Sequence, residues 1–195
     1  MGRTAKIQRT TSETEIDVGF GIDGTGTQDL QTTIPFLDHM LSQLARHGHF
    51  DLKVQARGDT HIDFHHTVED VGITLGQAFK QALGDKRGIR RFARASVPLN
   101  EALAHCVIDI SGRSYFVFNA DLPKAKIGEF DVELVAEFFQ AFAANSGITL
   151  HFDAPYWTNL HHIVEAMFKA FARALDEASC LDARMGGVPS TKGKL

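Results

Sequence analysis

Hydrophobic and polar positions along the chain follow two patterns, one with a helical period and one alternating. Phe36 to Gly48 places apolar residues four apart, as one face of a helix does. In the following segment, Phe50 to Ala56, every second residue is apolar, which is typical of a half-buried strand. A second helical stripe then runs from Val68 to Leu83. The first half of the chain is therefore predicted to form a helix, a strand and another helix.

The second half of the chain repeats this order. Val132 to Asn145 is predicted to be helical, Ile148 to Phe152 alternates as a short strand, and a helix begins at His161 and extends to about Leu175. A further alternating strand precedes each unit, at Ile16 to Ile22 and at Ala104 to Ile110. Because the same elements recur in the same order, we interpret the chain as an internal duplication.

The duplication predicts an α+β fold of two similar half-domains, each a small, mostly antiparallel sheet with helices packed on one face. We place the halves at residues 1–92 and 93–195, with a loop-like C-terminal tail in the second. In each half a β-ribbon is expected to turn, at Asp23-Gly24 and at Ser111-Gly112-Arg113. Since no Pro- or Ser-rich linker separates the halves, one compact unit is expected.

Composition narrows the class of protein. The 195 residues, 44% hydrophobic and 23% charged, suit a globular protein with one core. No run of 18 apolar residues occurs, and the first residues lack the apolar segment of a secretory signal, so neither a membrane span nor secretion is expected. Two cysteines are too few for a disulfide framework and favour the cytoplasm. The net charge of −4 gives no reason to expect nucleic acid, although a small anion remains a candidate ligand.

Four of the ten histidines lie in two copies of the motif His-His-x-x-Glu, each at the start of a predicted helix. The copies are His65 to Glu69 and His161 to Glu165. Within each copy the first histidine and the glutamate are four residues apart and share a helix face, so they can bind one metal ion together. The second histidine is rotated by roughly 100° and points to a different centre. Two copies related by a pseudo-twofold axis can therefore complete two metal sites.

Each predicted ion is held by the first histidine and the glutamate of one copy and the second histidine of the other. The two sets are His65, Glu69 and His162, and His161, Glu165 and His66. The preceding helices offer a further ligand at matching positions, His39 and Glu137. Imidazole and carboxylate without thiolate suit Mn, Fe, Co, Ni or Zn, and an octahedral site with open positions favours Mn(II). The two copies can belong to one chain or to neighbouring chains.

Several cations and hydroxyls are candidates for binding an anion. The basic run from Lys86 to Arg94, which includes Arg91, is most simply a solvated face. Arg113 lies in a predicted turn, where a guanidinium can bind a phosphate through two hydrogen bonds. Ser190, Thr191 and Lys192 add donors on a glycine-flanked tail. Together with a metal site, these residues indicate a phosphorylated substrate.

The segments that carry these residues resemble the imidazoleglycerol-phosphate dehydratase family over nearly the whole chain. They are Phe36 to Leu41, His65 to Asp70, the second His161-His162 motif and Pro189 to Gly193. The resemblance implies a hydro-lyase of histidine biosynthesis that converts D-erythro-imidazole glycerol phosphate to imidazole acetol phosphate. It also implies two Mn(II) ions per active site and a homo-oligomer of 24 subunits with the sites between subunits.

Position by position, the resemblance assigns metal ligation to the motif residues and to both upstream positions. The set is His39, His65, His66, Glu69, Glu137, His161, His162 and Glu165. It assigns substrate contacts to Glu13, Arg91, Arg113, Ser190 and Lys192, and Thr191 lies between the last two. Glu13 and Glu165 are both candidates for the catalytic proton shuttle. The chain departs from the family at Glu137, where histidine is common, and at residues 155–159, where a Gly-Arg-Asn-like stretch is expected.

Two other functions use the same types of residue. A di-metal phosphoesterase would use such ligands to activate water and would release inorganic phosphate. A metal-storage protein would saturate the coordination of its ions, which gives no role to Arg91, Arg113 and Lys192.

Overall fold

A computed structural model of the chain describes residues 2–195, which form ten strands and four helices. The strands are β1 (Thr4–Thr10), β2 (Thr14–Gly21), β3 (Gln28–Gln31), β4 (Asp51–Gly58), β5 (Phe92–Leu99), β6 (Ala102–Asp109), β7 (Tyr115–Asn119), β8 (Lys126–Ile127), β9 (Phe130–Asp131) and β10 (Thr149–Tyr156). The helices are α1 (Pro35–Gly48), α2 (His65–Leu83), α3 (Leu134–Ser146) and α4 (Leu160–Ser179).

The two halves form four-stranded sheets of the same topology. The strand order is β1-β2-β4-β3 in the first sheet and β5-β6-β10-β7 in the second. In both sheets the first two ladders are antiparallel and the third is parallel. The predicted duplication into two mostly antiparallel sheets is confirmed. A separate two-stranded ribbon, β8-β9, is present in the second half.

The helices pack on one face of each sheet and against the helices of the opposite half. Helix α2 lies on β1 and β2, and α4 lies on β5 and β6. Across the halves, α2 packs against α3 and α1 against α4. The buried side chains of both halves form a single hydrophobic cluster. Burial of this shared surface is the main favourable contribution to folding of the chain, and it joins the two halves.

The helices of each cross-half pair run parallel to one another. A Cβ atom on Gly72 of α2 would lie 2.8 Å from the carbonyl oxygen of Phe138 in α3, and one on Gly76 would lie 2.6 Å from that of Phe142. From one contact to the next, the residue number rises by four in both helices, so α2 and α3 run in the same direction. Their first turns therefore lie side by side. The glycines allow this close approach, since any larger residue would collide with backbone.

The structure differs from the sequence-based expectation mainly in how the strands pair. The strands at 14–21 and 102–109 are present, but they pair with β1 and β5 and do not turn back through Asp23-Gly24 or Ser111-Gly112-Arg113. After these turns, β3 and β7 instead pair in parallel with β4 and β10. No helix in residues 2–195 is both long and apolar enough to cross a membrane.

The glycine contact between α2 and α3 gives a stability prediction. Gly76→Ala places a methyl group against the carbonyl oxygen of Phe142. The gain in helix propensity is about 1 kcal/mol, whereas overpacking costs about 1–3 kcal/mol, so we expect net destabilisation. Urea unfolding at a fixed protein concentration measures this change. Gln81→Ala, at an exposed position of the same helix, should change the free energy of unfolding by less than about 0.5 kcal/mol. A Gly76→Ala protein as stable as the wild type would contradict the close contact.

Candidate metal centre and active site

The parallel packing of α1 and α4 brings together three potential metal ligands from the two halves of the chain. The Nε2 atoms of His39 and His161 lie 3.0 Å and 3.1 Å from the same carboxylate oxygen of Glu165. One ligand atom of each residue lies within 4.8 Å of the other two. Two imidazoles and a carboxylate converging on one point are a donor set that suits Mn(II) and related divalent ions. These three residues therefore could hold a metal ion.

The start of α4 is fixed by a side-chain cap. The Oδ1 atom of Asn159 accepts hydrogen bonds from the backbone N–H groups of His161 at 2.9 Å and His162 at 3.3 Å. Such a cap satisfies N–H groups that have no partner within the helix. The rings of His161 and His162 are inclined at 80°, and those of His65 and His66 in α2 at 86°. The two rings of each motif are therefore nearly perpendicular to one another.

Glu165 is held in its ionised form by a neighbouring lysine. The Nζ atom of Lys169 lies 2.6 Å from Oε1 of Glu165, and both side chains are largely buried. Burial raises the pKa of Glu165, but the hydrogen bonds from Lys169 and His39 outweigh it and lower the pKa to about 2. A carboxylate that stays ionised at neutral pH is a suitable metal ligand.

The second histidine of the α2 motif is held by a different carboxylate. The Nδ1 atom of His66 donates a hydrogen bond to Asp59, with 3.0 Å between the nitrogen and Oδ2. Glu13 lies further away, with Oε2 at 3.9 Å from the same nitrogen. The hydrogen bond to Asp59 raises the pKa of His66; burial opposes this shift and the charge of Glu13 adds to it. Since Nδ1 carries the donated proton, Nε2 is the atom available to a metal.

The remaining expected ligands are half-buried but not gathered into a second cluster. The parallel packing of α2 and α3 brings the turn that contains Glu137 close to the turn that contains His65 and Glu69. Within residues 2–195, however, only the group of His39, His161 and Glu165 brings three such ligand atoms within 4.8 Å.

The structure also identifies a carboxylate that the sequence interpretation missed. Oε2 of Glu101 accepts a hydrogen bond from Nδ1 of His162 at 2.9 Å, and Oε1 accepts one from the backbone N–H of Asn159 at 2.9 Å. The hydrogen bond from His162 lowers the pKa of Glu101 to about 2. The internal repeat carried a signal for this residue, because Glu101 directly precedes β6 as Glu13 directly precedes β2. Lys169, four residues after Glu165, was likewise detectable from helical spacing.

The expected substrate-binding residues other than Glu13 lie near the end of α4, whereas His161 lies at its start. The guanidinium of Arg91 donates to both carboxylate oxygens of Asp109, at 2.7 Å and 3.2 Å, and to the carbonyl oxygen of Pro189 at 2.8 Å. Arg91 therefore anchors the start of the tail that carries Ser190, Thr191 and Lys192. The end of the tail returns to the turn before Arg113, where a Cβ on Gly112 would lie 2.8 Å from the backbone carbon of Leu195.

The length of α4 separates these cations from the metal-ligand cluster of the same chain. The backbone N–H of Arg91 donates to the carbonyl oxygen of Ala178, near the end of α4, whereas His161 lies in its first turn. At about 1.5 Å per residue, these two points are ~25 Å apart along the helix. One small substrate cannot reach both ends of α4 in a single chain.

The ion pair of Glu165 gives a prediction about acid stability. Its pKa falls from 4.5 to about 2 on folding, so its contribution to stability is present above pH 4.5 and is lost as the pH falls through about 2. In Lys169→Met the pKa of Glu165 rises. We therefore expect a smaller loss of unfolding free energy between these pH values than in the wild type. Urea unfolding of the metal-free protein across this range measures the change.

Lys124→Met is the matched control, because Lys124 pairs with Glu133 at the exposed surface, where ion pairs contribute little. The acid dependence of this variant should follow the wild type. If Lys169→Met also follows the wild type, the buried ion pair does not set the pKa of Glu165.

Comparison with known proteins identifies the family of the chain. A sequence model described as imidazoleglycerol-phosphate dehydratase matches residues 32–175. The imidazoleglycerol-phosphate dehydratases of Trichlorobacter lovleyi and Citrifermentans bemidjiense are 60% and 62% identical over 195 residues, with 100% of each chain covered.

Solved structures of this family share the fold. A crystal structure of imidazoleglycerol-phosphate dehydratase from Staphylococcus aureus has a TM-score of 0.83 at 39% identity, covering 92% of this chain and 99% of that chain. The Pyrococcus furiosus enzyme has a TM-score of 0.84 at 36% identity, with 97% and 100% covered. The chain therefore belongs to the imidazoleglycerol-phosphate dehydratase family and is a hydro-lyase of histidine biosynthesis that converts imidazole glycerol phosphate to imidazole acetol phosphate.

Proposed function

We propose that the chain performs this dehydration at sites shared between copies of itself in a homo-oligomer, with two Mn(II) ions at each site. The observation that carries the proposal is the incomplete ligand set in one chain. His39, His161 and Glu165 converge, but the predicted fourth ligand, His66, is held by Asp59 outside that group. A second copy can supply the missing imidazole.

The proposed ligand sets follow from the pseudo-symmetry of the two motifs. One ion is held by His39, His161 and Glu165 of one copy with His66 of a second copy, and the other ion by His65, Glu69 and Glu137 of the second copy with His162 of the first. Every ligand is an imidazole or a carboxylate, which supports Mn(II) over metals that prefer thiolates. When bound, the two ions would supply Lewis acidity and a template for the imidazole ring of the substrate.

We assign the proton transfer to Glu13. The reaction removes a carbon-bound proton that has no adjacent carbonyl to acidify it, so a nearby general base must accept that proton. The side chain of Glu13 is 51% exposed and stands 3.9 Å from His66, beyond hydrogen-bond distance. Glu165, the other candidate, is held by Lys169 as an ionised carboxylate and acts here as a ligand.

We assign the phosphate of the substrate to a cluster of residues at the C-terminal end of α4. The cluster consists of Arg91, Arg113, Ser190, Thr191 and Lys192. Arg91 is already oriented by Asp109 and holds the tail, which limits the entropy lost when the site binds an anion. Arg113 is exposed beside it, and Ser190, Thr191 and Lys192 add hydroxyl and ammonium donors. Because this cluster lies ~25 Å along α4 from the ligands of its own chain, we propose that it serves the metal centre of a neighbouring copy.

The finer details of assembly and location rest on the resemblance and on composition. We propose 24 subunits, the number that the family resemblance implies. We also propose that the enzyme works in the cytoplasm, where its two cysteines would remain reduced. Both are free thiols, and burial raises the pKa of Cys106, which makes that thiol unreactive.

Removal of metal and of one ligand tests the metal sites. Metal-free protein should be inactive and should regain turnover of imidazole glycerol phosphate when Mn(II) is added. His66→Ala should abolish turnover and retention of one ion, measured by elemental analysis after gel filtration. Lys124→Met, at an exposed ion pair, serves as the control and should retain both ions. Metal content equal to wild type in His66→Ala would contradict the ligand scheme.

Mixing two inactive variants tests whether the sites lie between copies. His66→Ala keeps an intact second half and His161→Ala keeps an intact first half. If a site joins the ligands on α1 and α4 of one copy to the ligands on α2 and α3 of another, some interfaces in a mixed oligomer contain only native ligands. Unfolding and refolding the two variants together should then restore part of the activity, whereas refolding each alone should not. Mixed oligomers with no activity would show that each site uses one chain.

Arg113→Ala tests the phosphate contact. Loss of a guanidinium that binds the unreactive phosphate should raise KM, by about 10-fold or more, with a smaller change in kcat. Steady-state kinetics with metal-saturated enzyme measures both constants. A fall in kcat alone, at unchanged KM, would place Arg113 at the reacting end of the substrate instead.

A further inference from the structure

The two halves hold the second histidine of the motif in different ways, although their topology is the same. In the first half, Asp59 directly follows β4 and holds Nδ1 of His66 at 3.0 Å. The residue that directly follows β10 is Trp157, which has no carboxylate. In the second half, Nδ1 of His162 is instead held by Glu101 at 2.9 Å. In both halves Nδ1 of the second histidine is hydrogen-bonded to a carboxylate, but the carboxylate belongs to a different loop in each half.

Glu101 and Glu13 are equivalent in topology but differ in their contacts. Each directly precedes the second strand of its sheet, β6 or β2. Both carboxylate oxygens of Glu101 are engaged, one by His162 and one by the backbone N–H of Asn159. The carboxylate of Glu13 lies 3.9 Å from His66, beyond hydrogen-bond distance. In the first half Asp59 binds Nδ1 of His66, and Glu13 does not make the hydrogen bond that Glu101 makes with His162.

We propose that Glu101 is a positioning residue, which orients His162 so that its Nε2 atom faces the metal ion. The inference rests on the proposed function, in which His162 is a ligand. A carboxylate accepts only, so the proton of His162 lies on Nδ1 and the lone pair on Nε2. Because Glu101 is itself tied to Asn159, the residue that caps α4, the carboxylate is fixed relative to the start of the helix. Asp59 has the same function for His66.

The two topologically equivalent glutamates are therefore expected to have different roles. Glu101 orients a ligand and stays out of the chemistry, whereas Glu13 is free to move a proton. A metal-bound histidine whose second nitrogen loses its carboxylate partner binds metal about 10- to 100-fold more weakly. Removal of Glu101 should therefore weaken metal binding, and removal of Glu13 should lower turnover without that loss.

Two substitutions at Glu101 separate the hydrogen bond from simple packing. Glu101→Met keeps the length of the side chain and removes the acceptor, whereas Glu101→Gln keeps an oxygen that can accept from Nδ1. Mn(II) affinity and stoichiometry, measured by titration calorimetry on the full-length oligomer, should fall about 10- to 100-fold for one ion in Glu101→Met. Glu101→Gln should recover part of that loss. Glu13→Ala and the exposed control Glu15→Ala should bind both ions as the wild type does.

The outcomes separate this inference from the proposed function. If His162→Ala keeps both ions at wild-type affinity, the ligand scheme itself is wrong. If His162→Ala loses an ion while Glu101→Met binds both normally, only the role of Glu101 is overturned. Equal losses in Glu101→Met and Glu101→Gln would also overturn it, because an orienting hydrogen bond is partly retained by glutamine. Since Glu101 is 35% exposed, both variants should fold, and unchanged circular dichroism checks this.

Discussion

The parallel contact between helices of opposite halves is the constraint on which the rest of the structure depends. Gly72 and Gly76 let α2 approach the backbone of α3, and the aromatic side chains of α3 and α4, such as Phe139 and Phe168, fill the space between the sheets. Because the paired helices run in the same direction, their first turns lie side by side. Residues far apart in the chain, such as His39 and Glu165, therefore meet within hydrogen-bond distance.

Electrostatics then determines the task that each carboxylate can perform. Glu165 is largely buried, and the cost of removing its charge from water is offset by Lys169 and two imidazoles, which keep it ionised. Glu101 is fixed by His162 and a backbone N–H. Glu13, half-exposed and outside hydrogen-bond distance of His66, keeps a free carboxylate near the first motif. Three glutamates near two equivalent motifs thus have three different environments.

Helix length is the physical reason for proposing a catalytic site that is shared between copies of the chain. The cations around Arg91 lie at the end of α4 and the ligands at its start, and a rigid helix of 20 residues keeps them ~25 Å apart. No loop movement within one chain can close that distance without breaking the core. In the proposed homo-oligomer, the end of α4 in one copy would lie beside the start of α4 in another. The fold therefore places the proposed metal ligands and the proposed phosphate-binding residues at separate positions on its surface.

The sequence by itself determined the elements whose signal is local. Helical and alternating periods predicted all four helices and the central strands, and the repeated His-His-x-x-Glu motif predicted a duplicated fold and a metal site. Edge strands such as β3, with a single half-buried apolar residue, Leu30, carried too weak a pattern. The pairing of strands, the carboxylates beside His66 and His162, and the separation of Arg91 from the ligands were decided only by the tertiary structure. Each depends on contacts between residues distant in the chain, and periodicity carries no information about which distant segments meet.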